Sequence, residues 1–219
     1  SRLFLTERSD VAEWLEHTKF SSSSYKNKGG HALLIAGSES YSGAAVLCGN
    51  AAIRSGVGLV TIGTPRSSKD SIASRVVPEV MVRPLAETDG GAVSENAVAE
   101  VEGFLTSADA IAIGCGLSAN DESTRSFVRH FVENRRIPTV LDADALTMLS
   151  PFAAGPSESA AQYLPPLILT PHQGEFLRML GTDDKQAIED RVSAVREFAR
   201  KHNVILVLKG ERVMIGEPG

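Results

Sequence analysis

The stretch Leu167-Ile168-Leu169-Thr170-Pro171-His172-Gln173-Gly174-Glu175-Phe176 contains signals for a strand, a turn and the start of a helix. Its first three residues predict a short buried strand, and the apolar residues at 176, 177, 179 and 180 predict a helix. Thr170 and Pro171 indicate the helix start, because a hydroxyl can cap the first turn and proline suits the first helical position. We therefore expect His172 and Glu175 on that turn, at the carboxyl end of a strand, where open α/β sheets bind ligands.

Apolar runs of strand length alternate with helical patterns through most of the chain. We predict strands over Ala32–Ala36, Leu59–Ile62, Val80–Val82, Ala110–Ile113, Thr139–Leu141, Leu167–Leu169, Val204–Leu208 and Val213–Ile215. We predict helices over Ala44–Ser55, Asn96–Leu105, Glu122–Glu133, Ala143–Leu149, Gly174–Leu180 and Lys185–His202. This order predicts an α/β fold in which a mostly parallel, doubly wound sheet forms the middle of a three-layer αβα sandwich.

Length and composition indicate one sizeable globular domain. The chain has 219 residues, of which 42% are hydrophobic and 22% are charged. We interpret residues 1–219 as a single domain, with residues 1–28 and their serine run Ser21–Ser24 as a lead-in to the first strand. The small-residue segment Ala153–Ala161 is interpreted as a loop.

Charge and cysteine content restrict the partners and the compartment. The net charge of −5 leaves no basic surplus for a nucleic-acid partner. The two cysteines, Cys48 and Cys115, lack the spacing of a structural zinc site and predict a reduced, cytoplasmic setting. We expect no membrane partner, because no apolar stretch reaches transmembrane length and no signal-peptide pattern is visible. The chain begins with Ser1, so we expect it to be processed or cut from a longer protein.

Two glycine-containing segments follow predicted strands. Gly37–Ala45 and Gly114–Leu117 would each let backbone N–H groups approach a ligand closely. The alternative for the first segment is a small-residue helix packed on the sheet, and for the second a tight turn. The segment Gly56–Gly58 lies between a helix and a strand, where glycine at the helix end is the favoured interpretation.

Charged residues also follow predicted strands. Asp142 and Asp144 flank a strand-to-helix turn, where we expect one to cap the helix while the other binds a magnesium ion, a ribose or a substrate hydroxyl. Lys209 and Gly210 end the last long strand, a position that suits phosphate binding but is also common for an exposed lysine.

The order of these motifs is more specific than any one of them. From about Lys26 onward the chain resembles the NAD(P)H-hydrate dehydratases, nicotinamide-nucleotide repair enzymes of the ribokinase-like superfamily. The segments that carry the resemblance are Lys28-Gly29, Gly37–Ala44, Ala51–Val60, Ile113–Leu117, Leu141–Leu146, Thr170–Glu175 and Val207–Gly210.

The resemblance implies a ribokinase-like fold and an activity. That activity is the ADP- or ATP-dependent dehydration of (6S)-hydrated NADH or NADPH, called NADHX and NADPHX, to the normal cofactor with release of phosphate. In the chemistry implied, the C6 hydroxyl is phosphorylated and phosphate then leaves, since hydroxide is a poor leaving group. Mg²⁺ would offset the phosphate charge.

The resemblance also implies residue roles. It implies a hydrated-nicotinamide site formed by Gly43, Ala44, Gly116, His172 and Glu175 and organised by Asp142 and Asp144. It implies an adenine-nucleotide site along Lys209, Gly210, Glu211, Arg212 and Val213. It implies no metal ligand among the side chains of this sequence.

Two departures from the family pattern affect the expected activity. Cys115 stands where the family usually has proline. The family continues past the position of Gly219 to a Gly-Gly-Ser/Thr-Gly-Asp element, whose amides hold the transferring phosphate and whose aspartate is the implied base. We therefore expect an incompletely represented domain that is poorly active alone, and the sequence identifies no catalytic base.

Two other functions stay open. One is a ribokinase-like kinase of a small vitamin-like alcohol, and the other is a non-catalytic nucleotide-binding remnant. The resemblance further implies a homo-oligomer and a functional link to, or fusion with, an NAD(P)HX epimerase. The sequence does not decide between ADP and ATP.

Overall fold

A computed structural model describes residues 3–17, 29–153 and 164–219. The serine run Ser21–Ser24, Lys28 and most of the predicted loop Ala153–Ala161 lie outside the described residues. No helix within the described ranges is both long enough and apolar enough to cross a membrane.

Within the described residues, eight strands form one sheet in the order β3-β2-β1-β4-β5-β6-β7-β8. The strands are β1 His31–Ile35, β2 Leu59–Pro65, β3 Val80–Leu85, β4 Ala110–Ile113, β5 Thr139–Leu141, β6 Leu167–Leu169, β7 Ile205–Leu208 and β8 Met214–Gly216. Strands β1 to β7 pair in parallel, and β8 returns antiparallel to β7 with Leu208 opposite Met214. The predicted mostly parallel sheet, including its final hairpin, is confirmed.

Helices connect the strands. The α-helices are Arg8–His17, Ser42–Arg54, Lys69–Ala73, Val98–Leu105, Glu122–Glu133, Asp144–Met148, Gln173–Leu180 and Arg191–His202. Short 3-10 segments cover Arg66–Ser68, Glu95–Ala97 and Lys185–Ile188. The helices at 8–17 and 69–73 were not predicted, because neither segment has a long apolar period.

Apolar residues alternate between the two faces of the sheet and build a core on each. Leu33 and Ile35 of β1 join the larger core with the helices that follow β3 to β6. Leu34 of β1 joins a smaller core with Ala45 and Ile72, from the helices that follow β1 and β2. This alternation, with helices on both faces, gives the predicted three-layer arrangement.

Two predicted helices are wrong in extent. The range Asn96–Leu105 begins in the 3-10 turn Glu95–Ala97, and its α-helix starts at Val98. The range Lys185–His202 contains a 3-10 turn and a separate helix, Arg191–His202. Each has its own aspartate cap: the carboxylate of Asp184 accepts from the Gln186 N–H at 2.9 Å, and that of Asp190 from the Ser193 N–H at 3.1 Å. The capping residues stop one helical pattern and start another.

Candidate functional site

The sheet order places a crevice between β1 and β4. The chain runs outward from β1 to β3 and then returns to β4 on the other side, so the connections at the carboxyl ends of β1 and β4 diverge. Open α/β sheets bind ligands at such a point. A cleft of about 810 Å³ lies here, lined by Ser40, Tyr41, Ala44, Gly90, Ala92, Gly116, Ser118, Ala119, Asn120, Asp121 and Asp144.

Gly116 and Ala44 meet in this cleft. Gly116 has a φ of 73°, in the left-handed region, and a Cβ added there would lie 2.8 Å from the Ala44 Cβ and 2.9 Å from the Tyr41 carbonyl oxygen. The backbone after β4 therefore packs directly on the first turn of the Ser42–Arg54 helix. Gly43 lies beside this contact, exposed, with open space around it. Sequence reasoning named all three residues.

Gly114 fixes the turn after β4. Its φ is 143°, and any Cβ would overlap the Asp142 carbonyl oxygen at the end of β5. One residue further on, the Cys115 carbonyl accepts a hydrogen bond of 2.9 Å from the Gly37 N–H, at the end of β1. The ends of β1, β4 and β5 are thus joined through backbone contacts that only a residue without a side chain at 114 permits.

Asp144 shapes one wall of the cleft. Its Oδ2 accepts a hydrogen bond of 3.0 Å from the backbone N–H of Ser118, which has a φ of 70°. The Ser118 hydroxyl donates at 3.0 Å to that of Ser38, which is fully buried. The carboxylate therefore holds a serine in a backbone conformation that costs free energy, a feature common at binding sites.

The expectation that Asp142 or Asp144 caps a helix is wrong. The residue at the N-cap is Ala143, with a φ of 51° and no side chain able to accept a bond. Asp142 instead accepts a 2.8 Å bond from the Ala143 N–H and a 2.7 Å bond from the Lys209 ammonium. Asp142 and Asp144 therefore each bind a residue that is distant in the sequence, and neither caps the helix.

Lys209 joins the ends of β5, β6 and β7. Its Nζ lies 2.7 Å from Asp142 Oδ1 and 4.0 Å from Glu175 Oε2, and its backbone N–H donates to the Pro171 carbonyl at 2.8 Å. The Lys209 side chain is about two-fifths exposed, whereas the Glu175 side chain is only 9% exposed. A ligand phosphate could therefore reach Lys209, in competition with Asp142.

His172 caps the Gln173–Leu180 helix. Its Nδ1 accepts hydrogen bonds from the backbone N–H of Gly174 at 3.0 Å and of Glu175 at 3.3 Å. The Glu175 Oε2 accepts in return from the His172 N–H at 2.7 Å, which completes a capping box. Because Nδ1 accepts, the neutral ring carries its proton on Nε2, which lies 3.5 Å from Glu175 Oε1.

Thr170 was predicted to cap this helix, and that prediction is wrong. Its hydroxyl donates to the Leu141 carbonyl at 3.3 Å, on the neighbouring strand β5. The helix begins two residues later than the threonine–proline signal indicates, since the histidine and glutamate form a complete cap by themselves.

The residues expected to bind the adenine nucleotide lie between β7 and β8. Gly210 has a φ of 159°, and Glu211, Arg212 and Val213 are exposed. The Arg212 carbonyl accepts a 3.2 Å hydrogen bond from the guanidinium of Arg191, which ties this loop to the neighbouring helix.

Most of the predicted site residues fall into two groups. Ala44, Gly116 and Asp144 line the cleft, and the second group, Asp142, His172, Glu175 and Lys209, lies at the ends of β5 to β7. Sequence reasoning missed the cleft residues Gly90, Ala92 and those at 118–121. A glycine pair at 90–91 was the one available signal, and there the Gly91 carbonyl accepts from the Glu39 N–H at 2.9 Å.

The described ranges hold no group of three His, Cys, Asp or Glu side chains able to hold a metal ion. Asp142 is already paired with Lys209, and Asp144 with the Ser118 N–H. These residues therefore do not form a magnesium site by themselves. Magnesium commonly binds proteins through one or two carboxylates together with substrate phosphates.

Known proteins are similar to this chain over most of its length. The model of the NAD(P)H-hydrate dehydratase family matches residues 32–219. A bifunctional NAD(P)H-hydrate repair enzyme of Moorella thermoacetica is 37% identical over 196 residues, which are 90% of this chain and 36% of that protein. The ADP-dependent (S)-NAD(P)H-hydrate dehydratase of Bacillus subtilis is 36% identical over 196 residues, 89% of this chain and 63% of that protein.

Solved structures agree on the fold. The ADP/ATP-dependent NAD(P)H-hydrate dehydratase of Bacillus subtilis, co-crystallised with ATP and Mg²⁺, superposes with a TM-score of 0.72 at 32% identity, covering 93% of this chain and 68% of that one. A ribokinase-like superfamily protein of Enterococcus faecalis superposes with a TM-score of 0.77 at 24% identity, which supports the fold alone.

The chain spans between about a third and two thirds of the length of these curated relatives. The family match nevertheless covers almost all of the sheet and both groups of candidate site residues. The expected α/β, ribokinase-like fold is confirmed, and the chain belongs to the NAD(P)H-hydrate dehydratase family.

Proposed function

We propose that this chain carries out nicotinamide-nucleotide repair, the ADP- or ATP-dependent dehydration of (6S)-NADHX and (6S)-NADPHX to NADH and NADPH. The observation that carries the proposal is the cleft between β1 and β4 in a chain of this family, with Ala44, Gly116 and Asp144 on its walls. A cleft of about 810 Å³ has the volume that small-molecule and cofactor sites usually have.

The proposed chemistry has two steps. The C6 hydroxyl of the hydrated ring loses its proton to a base and attacks the terminal phosphorus of the nucleotide, and the phosphoanhydride bond breaks with release of AMP from ADP or of ADP from ATP. The C6 oxygen then carries a phosphate, which is a good leaving group. The C6–O bond then breaks, phosphate departs, and loss of a proton from the neighbouring carbon restores the ring double bond. Positioning and charge stabilisation supply most of the catalysis in such transfers.

We assign the hydrated nicotinamide to the cleft. Gly43, Ala44 and Gly116 supply a surface without large side chains, so the partly saturated ring can approach the backbone closely. Asp144 accepts a hydrogen bond from the backbone N–H of Ser118 and so holds this part of the cleft wall in place. We assign His172 to the same ligand, since its ring is more than half exposed and its orientation is fixed by the helix cap and Glu175.

We assign the adenine nucleotide to Lys209 and the residues that follow it, Gly210, Glu211, Arg212 and Val213. Lys209 lies at the carboxyl ends of β5 to β7, where its ammonium pairs with Asp142 Oδ1 at 2.7 Å. The Bacillus subtilis relatives are described as ADP-dependent and as ADP/ATP-dependent, and we propose that one of these two nucleotides is the donor. Because the described residues form no metal cage, Mg²⁺ would be held mainly by the phosphates.

Three further assignments follow from the family. The name of the Moorella relative, a bifunctional repair enzyme, supports a functional link or fusion to an NAD(P)HX epimerase. We also propose a homo-oligomer and a cytoplasmic location, the latter because NAD(P)H and adenine nucleotides are substrates.

The test is a turnover assay. The 219-residue chain, of verified mass, is mixed with (6S)-NADHX, magnesium and either ADP or ATP, and the return of reduced-nicotinamide absorbance is followed. Recovery with one nucleotide supports the proposal and identifies the phosphoryl donor. The Lys209→Met variant should lose the activity, whereas Lys69→Met, which removes an exposed pair with Asp70, should keep it.

Two outcomes would contradict the proposal in different ways, and a third would show that this chain is poorly active alone. Accumulation of a phosphorylated substrate without elimination would indicate a kinase. Binding of nucleotide and NADHX without turnover, repeated in any longer form of the protein, would indicate a non-catalytic remnant. Turnover only in a longer form would support the expectation that the base lies beyond Gly219.

A further inference from the structure

The helix after β1 presents Ala44 and Cys48 on one face. Residues four apart lie one above the other on a helix. Ala44 contacts the Gly116 backbone. Cys48 is the next residue along this face of the helix, and Cys115 precedes Gly116 in the chain, so we expect the two cysteines to lie near each other. The only two cysteines of the sequence, 67 positions apart, are therefore brought together beside the cleft.

Packing confirms this placement. Both cysteines pack against the same small apolar core, which contains Ala45 and Ile62. Both thiols are free and partly exposed, and they lie near enough for each to affect the other electrostatically. The backbone holds Cys115 from its other side through the 2.9 Å bond between its carbonyl and the Gly37 N–H.

The interaction between the two thiols shifts their pKa values in opposite directions. The interaction with Cys115 lowers the pKa of the Cys48 thiol, against the effects of burial and of the nearby Asp142 charge. The same interaction, together with burial, raises the pKa of the Cys115 thiol. Cys48 is thus the better candidate for the attacking thiolate and Cys115 for the thiol that resolves the intermediate.

We propose that Cys48 and Cys115 form a reactive dithiol that closes to a disulfide on reaction with a hydroperoxide and links the wall of the cleft to its neighbouring helix. The packing of both cysteines against one small core and the fixed approach of Gly116 to Ala44 carry this inference, which does not depend on the proposed function.

The reaction balances with one hydroperoxide. The Cys48 thiolate attacks the terminal peroxide oxygen, the O–O bond breaks, and Cys48 becomes a sulfenic acid as the peroxide is reduced to water or an alcohol. The Cys115 sulfur then attacks the Cys48 sulfur, the S–O bond breaks, and water leaves with the Cys115 proton. Two thiols lose two hydrogens and two electrons, which the peroxide accepts.

The experiment uses the folded 219-residue chain and hydrogen peroxide at a small molar excess. We expect both free thiols to disappear together, the intact mass to fall by two hydrogen atoms, and a peptide map to recover one cross-linked pair that contains Cys48 and Cys115. Dithiothreitol should restore both thiols. Amide hydrogen exchange across residues 114–118 should slow in the oxidised chain, because the cross-link restrains that segment.

The matched controls are Cys48→Ser and Cys115→Ser. Each keeps one thiol, so neither can lose two hydrogens within one chain, and each should instead gain oxygen or remain reduced. Persistence of both thiols in the folded parent, independent oxidation of each, or cross-links between chains would overturn the proposal. The peptide map of the parent decides the question even where a serine variant fails to fold.

Discussion

Gly116→Ala tests whether the cleft is built on the contact between the turn after β4 and the helix after β1. Alanine at a φ of 73° costs about 1–2 kcal/mol. Its Cβ would lie 2.8 Å from the Ala44 Cβ and 2.9 Å from Tyr41 atoms, and such overpacking costs about 1–3 kcal/mol. We expect the free energy of unfolding to fall by about 2–5 kcal/mol, a large part of the 5–15 kcal/mol of an ordinary domain.

The matched control is Gly43→Ala, one residue from the same contact. Nothing lies within 4 Å of a Cβ added there, and Gly43 is in the first turn of a helix, where alanine is favoured over glycine. Its free energy of unfolding should be unchanged or up to about 1 kcal/mol higher. Both variants are measured by urea unfolding followed by circular dichroism. If the free energy of unfolding of Gly116→Ala lay within about 0.5 kcal/mol of the parent value, the turn after β4 would not depend on its close contact with the helix.

Three further predictions concern side chains around the sheet edge and the core. His172→Ala removes the helix cap and should lower the free energy of unfolding by about 1 kcal/mol in urea. His202 packs on the Phe198 ring at 4.4 Å, and burial lowers its pKa below 6.5. As the pH falls, the unfolded chain therefore takes up the proton before the folded chain does. The free energy of unfolding that is present above pH 6.5 should decrease as the pH falls through the lower pKa of His202 in the folded chain. The His202→Gln variant should lack this pH dependence. Lys209→Met should change stability by less than about 1 kcal/mol, because its pair with Asp142 is partly exposed, but should weaken ADP binding in a calorimetric titration.

Each of these has its own control. His172→Asn should restore most of the stability that alanine loses, since asparagine also caps helices, and equal losses for both would contradict the cap. An unaltered pH slope in His202→Gln would contradict the role of the buried imidazole. Lys69→Met should leave ADP binding intact, so equal weakening by both lysine variants would show that the effect is not specific to the site.

The sheet was predictable because its central strands are buried on both faces. Ala110–Ile113, Thr139–Leu141 and Leu167–Leu169 are continuous apolar runs, and their observed bounds are the predicted ones. β2 runs to Pro65, three residues beyond the predicted Ile62, because residues 63–65 pair with β3. Local propensity does not indicate that extension, since Gly63 and Pro65 are poor strand formers and only Thr64 between them favours a strand.

Helix starts were less predictable, because several residues compete to cap them. Thr170 and Asp142 have side chains that cap helices well, yet each forms a hydrogen bond with another part of the sheet edge. Their partners, Leu141 and Lys209, lie 29 and 67 positions away in the sequence. Such pairing depends on the finished sheet, so local capping rules cannot reveal it.

The location of the candidate site was predictable from the sequence, but the backbone conformation of its residues was less so. The strand ends pointed to Ala44, Gly116 and Asp144, which the structure gathers in one cleft. The left-handed conformation of Ser118 was not predictable, because serine rarely adopts it and here the Asp144 carboxylate holds it.

The most direct test of the account is calorimetric titration of (6S)-NADHX into the parent chain and into Ala44→Leu, a variant that fills the cleft. Leu47→Ala, at an exposed position on the same helix, is the control for general effects of a substitution in this helix. We expect saturable binding of one molecule by the parent and by Leu47→Ala, and loss of binding in a folded Ala44→Leu. No binding by the parent, or equal affinity in Ala44→Leu, would contradict the assignment of the hydrated nicotinamide to this cleft.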